Sequence, residues 1–218
     1  SYLGILWSLI EPLLTMAVLT VVFTKLLGRD AKNLQIPFAV YILIGRLMYT
    51  YFSTGTKTAM RSIRANSSMI KKVYVPKYLY PLSSTLYTYV IFLISLIDLF
   101  AVAILMGVRP SWYMFQAIIP ILLIFFLTFG VGMILSTVAV FFRDLEYIWD
   151  VLTMLIMYTS AVFYTTNRFE GTWMMYVFKF NPLYRLIECF RDSLSGQPLH
   201  PYGICLLYTS PSPRDRTR

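Results

Sequence analysis

Between Thr56 and Tyr80 the chain carries Lys57, Arg61, Arg64, Lys71, Lys72 and Lys77 and no acid, and long apolar runs flank that segment on both sides. A helix of about 20 apolar residues crosses a hydrocarbon core about 30 Å thick. A basic segment between two such helices stays on the cytoplasmic side of the membrane. The pattern therefore predicts an all-α, polytopic membrane protein with this segment facing the cytoplasm. Composition agrees, with 58% hydrophobic and 13% charged residues, where a soluble domain carries about a quarter charged. The net charge of +9 is concentrated beside the spans, where the anionic membrane surface accounts for it, so membrane lipids are expected partners and nucleic acid is not. Cys189 and Cys205 lack metal-site spacing and His200 is the single histidine, so no metal or redox centre is expected.

Alternation across the membrane then orders the rest. Spans are predicted from about Leu3 to Leu27, interrupted by Glu11-Pro12, and from Pro37 to about Gly55. Three more follow at Pro81 to Met106, Phe115 to Val140 and Ile148 to Tyr164, which places the N-terminus in the cytoplasm. Phe141 to Glu146 forms a second cytoplasmic loop. Thr165 to Pro201 mixes Trp173, Tyr176, Phe178, Phe180, Tyr184 and Phe190 with charges, which predicts interfacial or re-entrant helices on the outer side. A sixth span is expected to begin near Tyr202 and to be cut short. Residues 1–203 read as one membrane domain lacking its native N-terminus, and 204–218 as a truncated last span with a non-native tail from Thr209 onward. No Gly-x-x-x-x-Gly-Lys-Ser/Thr loop is present to cradle phosphates.

Three charges fall inside predicted spans: Glu11, Arg46 and Asp98. Arg46 and Asp98 lie about 13 Å deep on consecutive spans at 1.5 Å per residue. An isolated central charge costs roughly 2.5 to 3.5 kcal/mol on insertion scales, so a pair between them is expected, the alternative being that each faces water in the interior of a dimer. Glu11 either lines a water-filled entrance or hydrogen-bonds a neighbouring helix. The 17 tyrosines and 16 phenylalanines include Tyr41, Tyr49, Tyr51, Phe52, Tyr87 and Tyr89 at helical spacings within spans. Such rings either pack helices or form a surface on which sugar rings stack.

Four segments, in order, resemble the permease subunit of ABC-2 type exporters, particularly those for O-antigen, capsular polysaccharide or teichoic acid. They are Leu3 to Leu14, Ile70-Lys71-Lys72-Val73-Tyr74-Val75-Pro76 with Pro81-Leu82-Ser83, Phe142-Arg143-Asp144, and Asn181-Pro182-Leu183 leading to Glu188 and Arg191. Glu11 departs from the family, where asparagine is common. The resemblance implies the ABC-2 permease fold, a homodimer with six spans per subunit, and a separate ATPase subunit that holds ATP and magnesium, with no cofactor on this chain. It also implies a lipid-linked polysaccharide or teichoic-acid-like substrate. ATPase docking would use Ile70, Lys71, Lys72, Tyr74 and Pro76, with Arg143 and Asp144 as either a second contact or a membrane-boundary marker. The substrate path would use Tyr41, Tyr49, Tyr51, Phe52, Tyr87 and Tyr89, and an outer gate Asn181, Pro182, Glu188 and Arg191. A drug-exporting permease is the nearest alternative. A membrane-embedded glycan-processing enzyme is another, and it would need acids or histidines gathered on one face.

Overall fold

A computed structural model describes residues 36–70, 72, 74–108, 112–164 and 173–196, with isolated positions 10, 14, 15, 17, 18, 21 and 22. Every regular element among them is helical: α1 Phe38–Ala65, α2 Ser67–Ile70, α3 Leu79–Leu105, α4 Ile118–Phe141, α5 Leu145–Thr159, α6 Met174–Phe180 and α7 Pro182–Ser195. A 3-10 turn, Trp112–Ala117, leads into α4. Glu11, Lys71 and the expected sixth span lie outside the described residues, as does most of the first span.

The third and fourth spans stand where the apolar runs predicted them. Leu79–Leu105 and Met114–Phe141 are each long and apolar enough to cross a membrane. α3 stops at Gly107, whose φ of +85° suits the one residue type without a Cβ. There Gly107 N–H donates to the Ile104 carbonyl and Val108 N–H to that of Ala103, so the last turn's orphan acceptors are satisfied within the chain.

Two boundaries differ from the sequence reading. α1 does not end near Gly55 but continues to Ala65, so Lys57, Arg61 and Arg64 sit on a helix rather than in a loop. No proline or glycine interrupts 56–65, and Thr56, Ala59, Met60 and Ser62 are buried there; tertiary contact carries the helix beyond the apolar run. α5, in contrast, ends at Thr159 instead of reaching Tyr164. Its 15 residues span about 22 Å, short of the hydrocarbon thickness of about 30 Å. The chain turns at Ser160 and Ala161, where Ala161 takes a left-handed φ of +47°.

α1 is the central helix, packing against α3, α4, α5 and α7. Val40, Ile42, Leu43, Ile44 and Met48 on it are fully buried. Around it the helices approach through small and hydroxylated residues. Ser53, Thr56, Thr85, Thr88, Thr128 and Ser136 are all buried. Thr56, Thr85, Thr88 and Ser136 donate to carbonyls three or four residues back on their own helix. That pattern hides the hydroxyls and brings backbones close without an apolar solvent penalty. Large apolar side chains face outward instead, Ile97, Phe126, Ile134 and Leu155 among them.

The bundle has two ends of different character. The start of α1, the α3–α4 junction and α7 share one end. The end of α1, the start of α3 and the α4–α5 turn share the other, which holds the basic segment.

Candidate functional site

At the end opposite the basic segment, four of the residues singled out in the sequence fall within α7 or at its cap. Asn181 caps the helix, its Oδ1 accepting from Leu183 N–H at 3.0 Å, and Pro182 follows in the first turn where no N–H is needed. The same Asn181 donates through Nδ2 to Thr159 Oγ1 and Ser160 Oγ, both at 3.0 Å. One side chain thus starts α7 and fastens it to the end of α5.

Arg191, nearly three turns further on, is 5% exposed. Its Nη1 donates to the Ala161 carbonyl at 3.3 Å, and its Nη2 to the carbonyls of Tyr41, Ala161 and Val162 at 3.2, 3.2 and 3.4 Å. The guanidinium carbon lies 3.4 Å from the centre of the Tyr41 ring, a cation–π contact strengthened by burial. A planar fork with five donors in fixed directions can serve several carbonyls while its face stacks on a ring, a combination that a compact ammonium does not offer. Here it binds the carbonyls of the turn that follows α5, close to the helix C-terminus, where the dipole also favours a cation. Tyr41 closes the knot by donating from its hydroxyl to the Tyr164 carbonyl at 3.1 Å.

Glu188, one turn before Arg191, accepts from the Tyr184 hydroxyl. Burial holds its carboxyl above the usual carboxylate range, while the Tyr184 hydrogen bond and nearby Arg191 pull the other way. Cys189 beside it is buried and free, and burial pushes its thiol up to about 11.

At the basic end, α1 and α5 are joined along their length. Lys57 pairs with Asp150 at 2.8 Å, Arg61 Nε with Glu146 at 3.1 Å, and Arg64 with the same Glu146. Trp149 Nε1 donates to Thr56 Oγ1 at 3.0 Å in the buried seam, and Tyr49 donates to the Thr153 carbonyl at 3.0 Å. Glu146→Gln should lower stability in detergent by about 1 kcal/mol, since one partly covered carboxylate serves two arginines. Lys57→Glu and Asp150→Lys should each lower the thermal midpoint, and together recover it. If the double variant melts no higher than the singles, the two side chains do not pair.

Beyond this seam the chain turns outward. Tyr74 is fully exposed, and Lys72 and Pro76 are exposed beside it, with Ile70 half-buried. Phe142, Arg143 and Asp144 form a short exposed turn between α4 and α5.

Two expectations for the interior are corrected. Arg46 and Asp98 form no ion pair among the described residues, and Asp98 Oδ2 is buried with no hydrogen-bond partner. Equal depth is not enough; the two helices must also turn the two side chains toward each other. The six aromatics do not make one surface either. Tyr41, Tyr51 and Phe52 are 8%, 4% and 4% exposed and belong to the core. Tyr51 stacks on Phe92 with centroids 4.9 Å apart, Phe52 lies against Trp149, and Tyr89 donates to the Ile121 carbonyl. Only Tyr87 of the six is strongly exposed, at 69%. Packing around the central helix outcompetes exposure for these rings.

Sequence reasoning passed over Glu146, Asp150, Trp149 and Gly45. The acids recur at i and i+4 on α5, matching cations at 57, 61 and 64, a pattern legible once α1 is known to continue. Gly45 carries no such signal. A Cβ there would lie 2.8 Å from Arg191 Nη2 and 3.2 Å from Val162 Cα, so its lack of a side chain is what admits the guanidinium.

The comparisons with known proteins agree with this architecture. The family described as ABC-2 type transporter matches residues 1–194. Two O-antigen export system permease proteins of Klebsiella pneumoniae are 30% and 31% identical to the chain over 211 residues, which is 95% of this chain and 79% of theirs. A capsule polysaccharide export inner-membrane protein of Neisseria meningitidis serogroup B is 25% identical over 201 residues, covering 92% of this chain and 75% of its own. With nearly the whole chain matched and its apolar helices in place, the protein is a membrane protein belonging to the ABC-2 type transporter family.

Proposed function

We propose that this chain is the membrane subunit of an exporter that moves a lipid-linked polysaccharide, or a teichoic-acid-like polymer, across the cytoplasmic membrane. Two copies form the path, each with six spans, and a separate ATPase holds ATP and magnesium on the side of the basic segment. The observation that carries the reading is the similarity over 211 residues to O-antigen export permeases. The excess of cations at one end supports a cytoplasmic placement for that end and an outer placement for α7.

The geometry supports a mechanical route between the two. The exposed Lys72, Tyr74 and Pro76 offer an ATPase a contact just beyond α1. Ion pairs and the Trp149 hydrogen bond tie the end of α1 to the start of α5. At its far end α5 is held by Asn181 and Arg191 of the outer segment. A push on the basic end thus reaches the outer end through one short helix fixed at both termini, and the outer segment acts as the exit gate. An enzyme reading is less well supported, because Glu146 and Glu188 are engaged by neighbouring side chains rather than gathered at a cleft.

The test is capture of the ATPase encoded beside the gene by the full-length protein. Wild type should retain it through purification, and a variant combining Lys71→Ala, Lys72→Ala and Tyr74→Ala should retain at least about tenfold less, because the contact loses two charges and an exposed ring. Folded wild-type protein that captures no ATPase would overturn the reading.

A further inference from the structure

The basic end also carries a cleft beside the α1–α5 seam, with which it shares Arg61, and apart from the docking segment. It lies between the last turns of α1 and the first turns of α3, measures about 420 Å³, and is lined by Arg61, Asn66, Tyr80, Ser83, Ser84 and Tyr87 among others. We infer that this cleft binds the headgroup of a lipid phosphate ester that bears free hydroxyls.

Three observations converge on that chemistry. The first is an orphaned group: Tyr80 is 8% exposed, and its hydroxyl is buried with no hydrogen-bond partner. A buried hydroxyl left unpaired is costly, and because Tyr80 is one of the residues lining the cleft, a ligand oxygen that reaches its hydroxyl would remove that cost. The second is charge. Arg61 and Arg64 share the single carboxylate of Glu146, which leaves one positive charge uncompensated beside the cleft. Only the Nε of Arg61 is committed to Glu146, so its terminal amino groups suit a phosphate. The third is the direction of the remaining hydrogen bonds. Ser83 and Ser84 donate to the carbonyls of Tyr80 and Pro81, and Asn66 Nδ2 donates to that of Ser62. Their oxygens are left as acceptors, which call for ligand hydroxyls such as those of glycerol or a sugar.

Depth points to a lipid rather than a soluble phosphate. Measured along the helices, Arg61 lies about 35 Å from Phe38 and Ser83 about 33 Å from Leu105, so both stand just past a hydrocarbon layer of about 30 Å, at headgroup level. From Ser83 an exposed apolar stripe, Leu86, Val90, Leu93 and Ile97, continues along α3. It offers the hydrocarbon tail a track directly above the headgroup.

The full-length protein in detergent micelles, titrated with short-chain lipids and read by native mass spectrometry, tests this. Phosphatidylglycerol and a short polyprenyl-phosphate sugar should each bind at least about tenfold tighter than phosphatidylcholine, which lacks net charge and hydroxyls. Whichever of the two binds tighter identifies the source as bulk membrane or glycan carrier. Tyr80→Phe and Arg61→Gln should each weaken binding about tenfold. Tyr80→Phe should do so with its thermal midpoint unchanged or raised, since it deletes an oxygen that has no partner in the protein. Equal binding of phosphatidylcholine, wild-type affinity in Tyr80→Phe, or equal affinity for tail-less glycerol 1-phosphate would each overturn the proposal. No ATPase and no transport enter the measurement, so its failure leaves the export reading standing, and loss of ATPase capture leaves this site standing.

Discussion

Arg191→Met is expected to destabilise the protein by about 2 to 4 kcal/mol. Methionine keeps the length and most of the apolar bulk, so the loss isolates the guanidinium. That group donates to the carbonyls of Tyr41, Ala161 and Val162 and stacks on the Tyr41 ring. Each hydrogen bond to a charged group contributes roughly 1.5 to 3 kcal/mol. The desolvation of a buried cation, and an Nε that finds no partner, offset part of that sum. Arg191→Lys should fall between the two, because an ammonium keeps the charge but lacks the planar fork that stacks on the Tyr41 ring and donates from two nitrogens. Gly45→Ala should reproduce part of the defect from the other side, since its Cβ would sit 2.8 Å from Nη2. Thermal unfolding in detergent, with limited proteolysis across 160–164, provides the check. An Arg191→Met protein that melts with wild type and resists cleavage there would remove Arg191 from its role in holding α5 to α7.

Gly55→Ala and Gly132→Ala are expected to lower stability, against the sign that helix propensity alone predicts. Replacing glycine by alanine within a helix ordinarily gains about 1 kcal/mol. Here the new Cβ of residue 55 would meet Thr128 Cγ2 at 2.6 Å, and that of residue 132 would meet Ala59 Cβ at 2.8 Å. Both contacts lie between α1 and α4 and are closer than carbon atoms tolerate, so the helices must separate. Overpacking of this kind costs about 1 to 3 kcal/mol, which exceeds the gain in propensity. The sharper test is rescue. Thr128→Ser removes the Cγ2 methyl and should restore Gly55→Ala, and Ala59→Gly should restore much of Gly132→Ala. Alanine variants that melt above wild type would mean that α1 and α4 do not approach this closely.

These two sites show where sequence reasoning reached and where it stopped. The α3 and α4 spans were legible because length and hydropathy are properties of a contiguous run. Asn181-Pro182 was read only as part of an outer segment, although its role as a cap followed by a proline in the first turn is local and depends on no distant contact. Arg46 and Asp98 were not legible, because residue count sets depth but not rotation about the helix axis. The aromatic set failed similarly. Ring spacing along α1 is the same whether the rings face a path or a neighbour, and the position of α1 at the centre decides for the neighbour. The basic segment was read correctly as charge but not as structure, since its continuation as helix depends on burial of Ala59 and Met60 against other helices.

What the sequence determined by itself is the class of solvent and the alternation of the chain through it. Apolar runs of spanning length and a cluster of cations leave a membrane protein as the one economical solution, since every backbone group in lipid must be satisfied within a helix. What only the tertiary structure decided is which residues meet: Arg191 with the end of α5, Glu146 with two arginines, and Gly55 with Thr128. Hydrophobic burial depends on composition summed over a run. A hydrogen bond, an ion pair or a close backbone approach depends on the position and rotation of two helices at once, and no single stretch of chain encodes both.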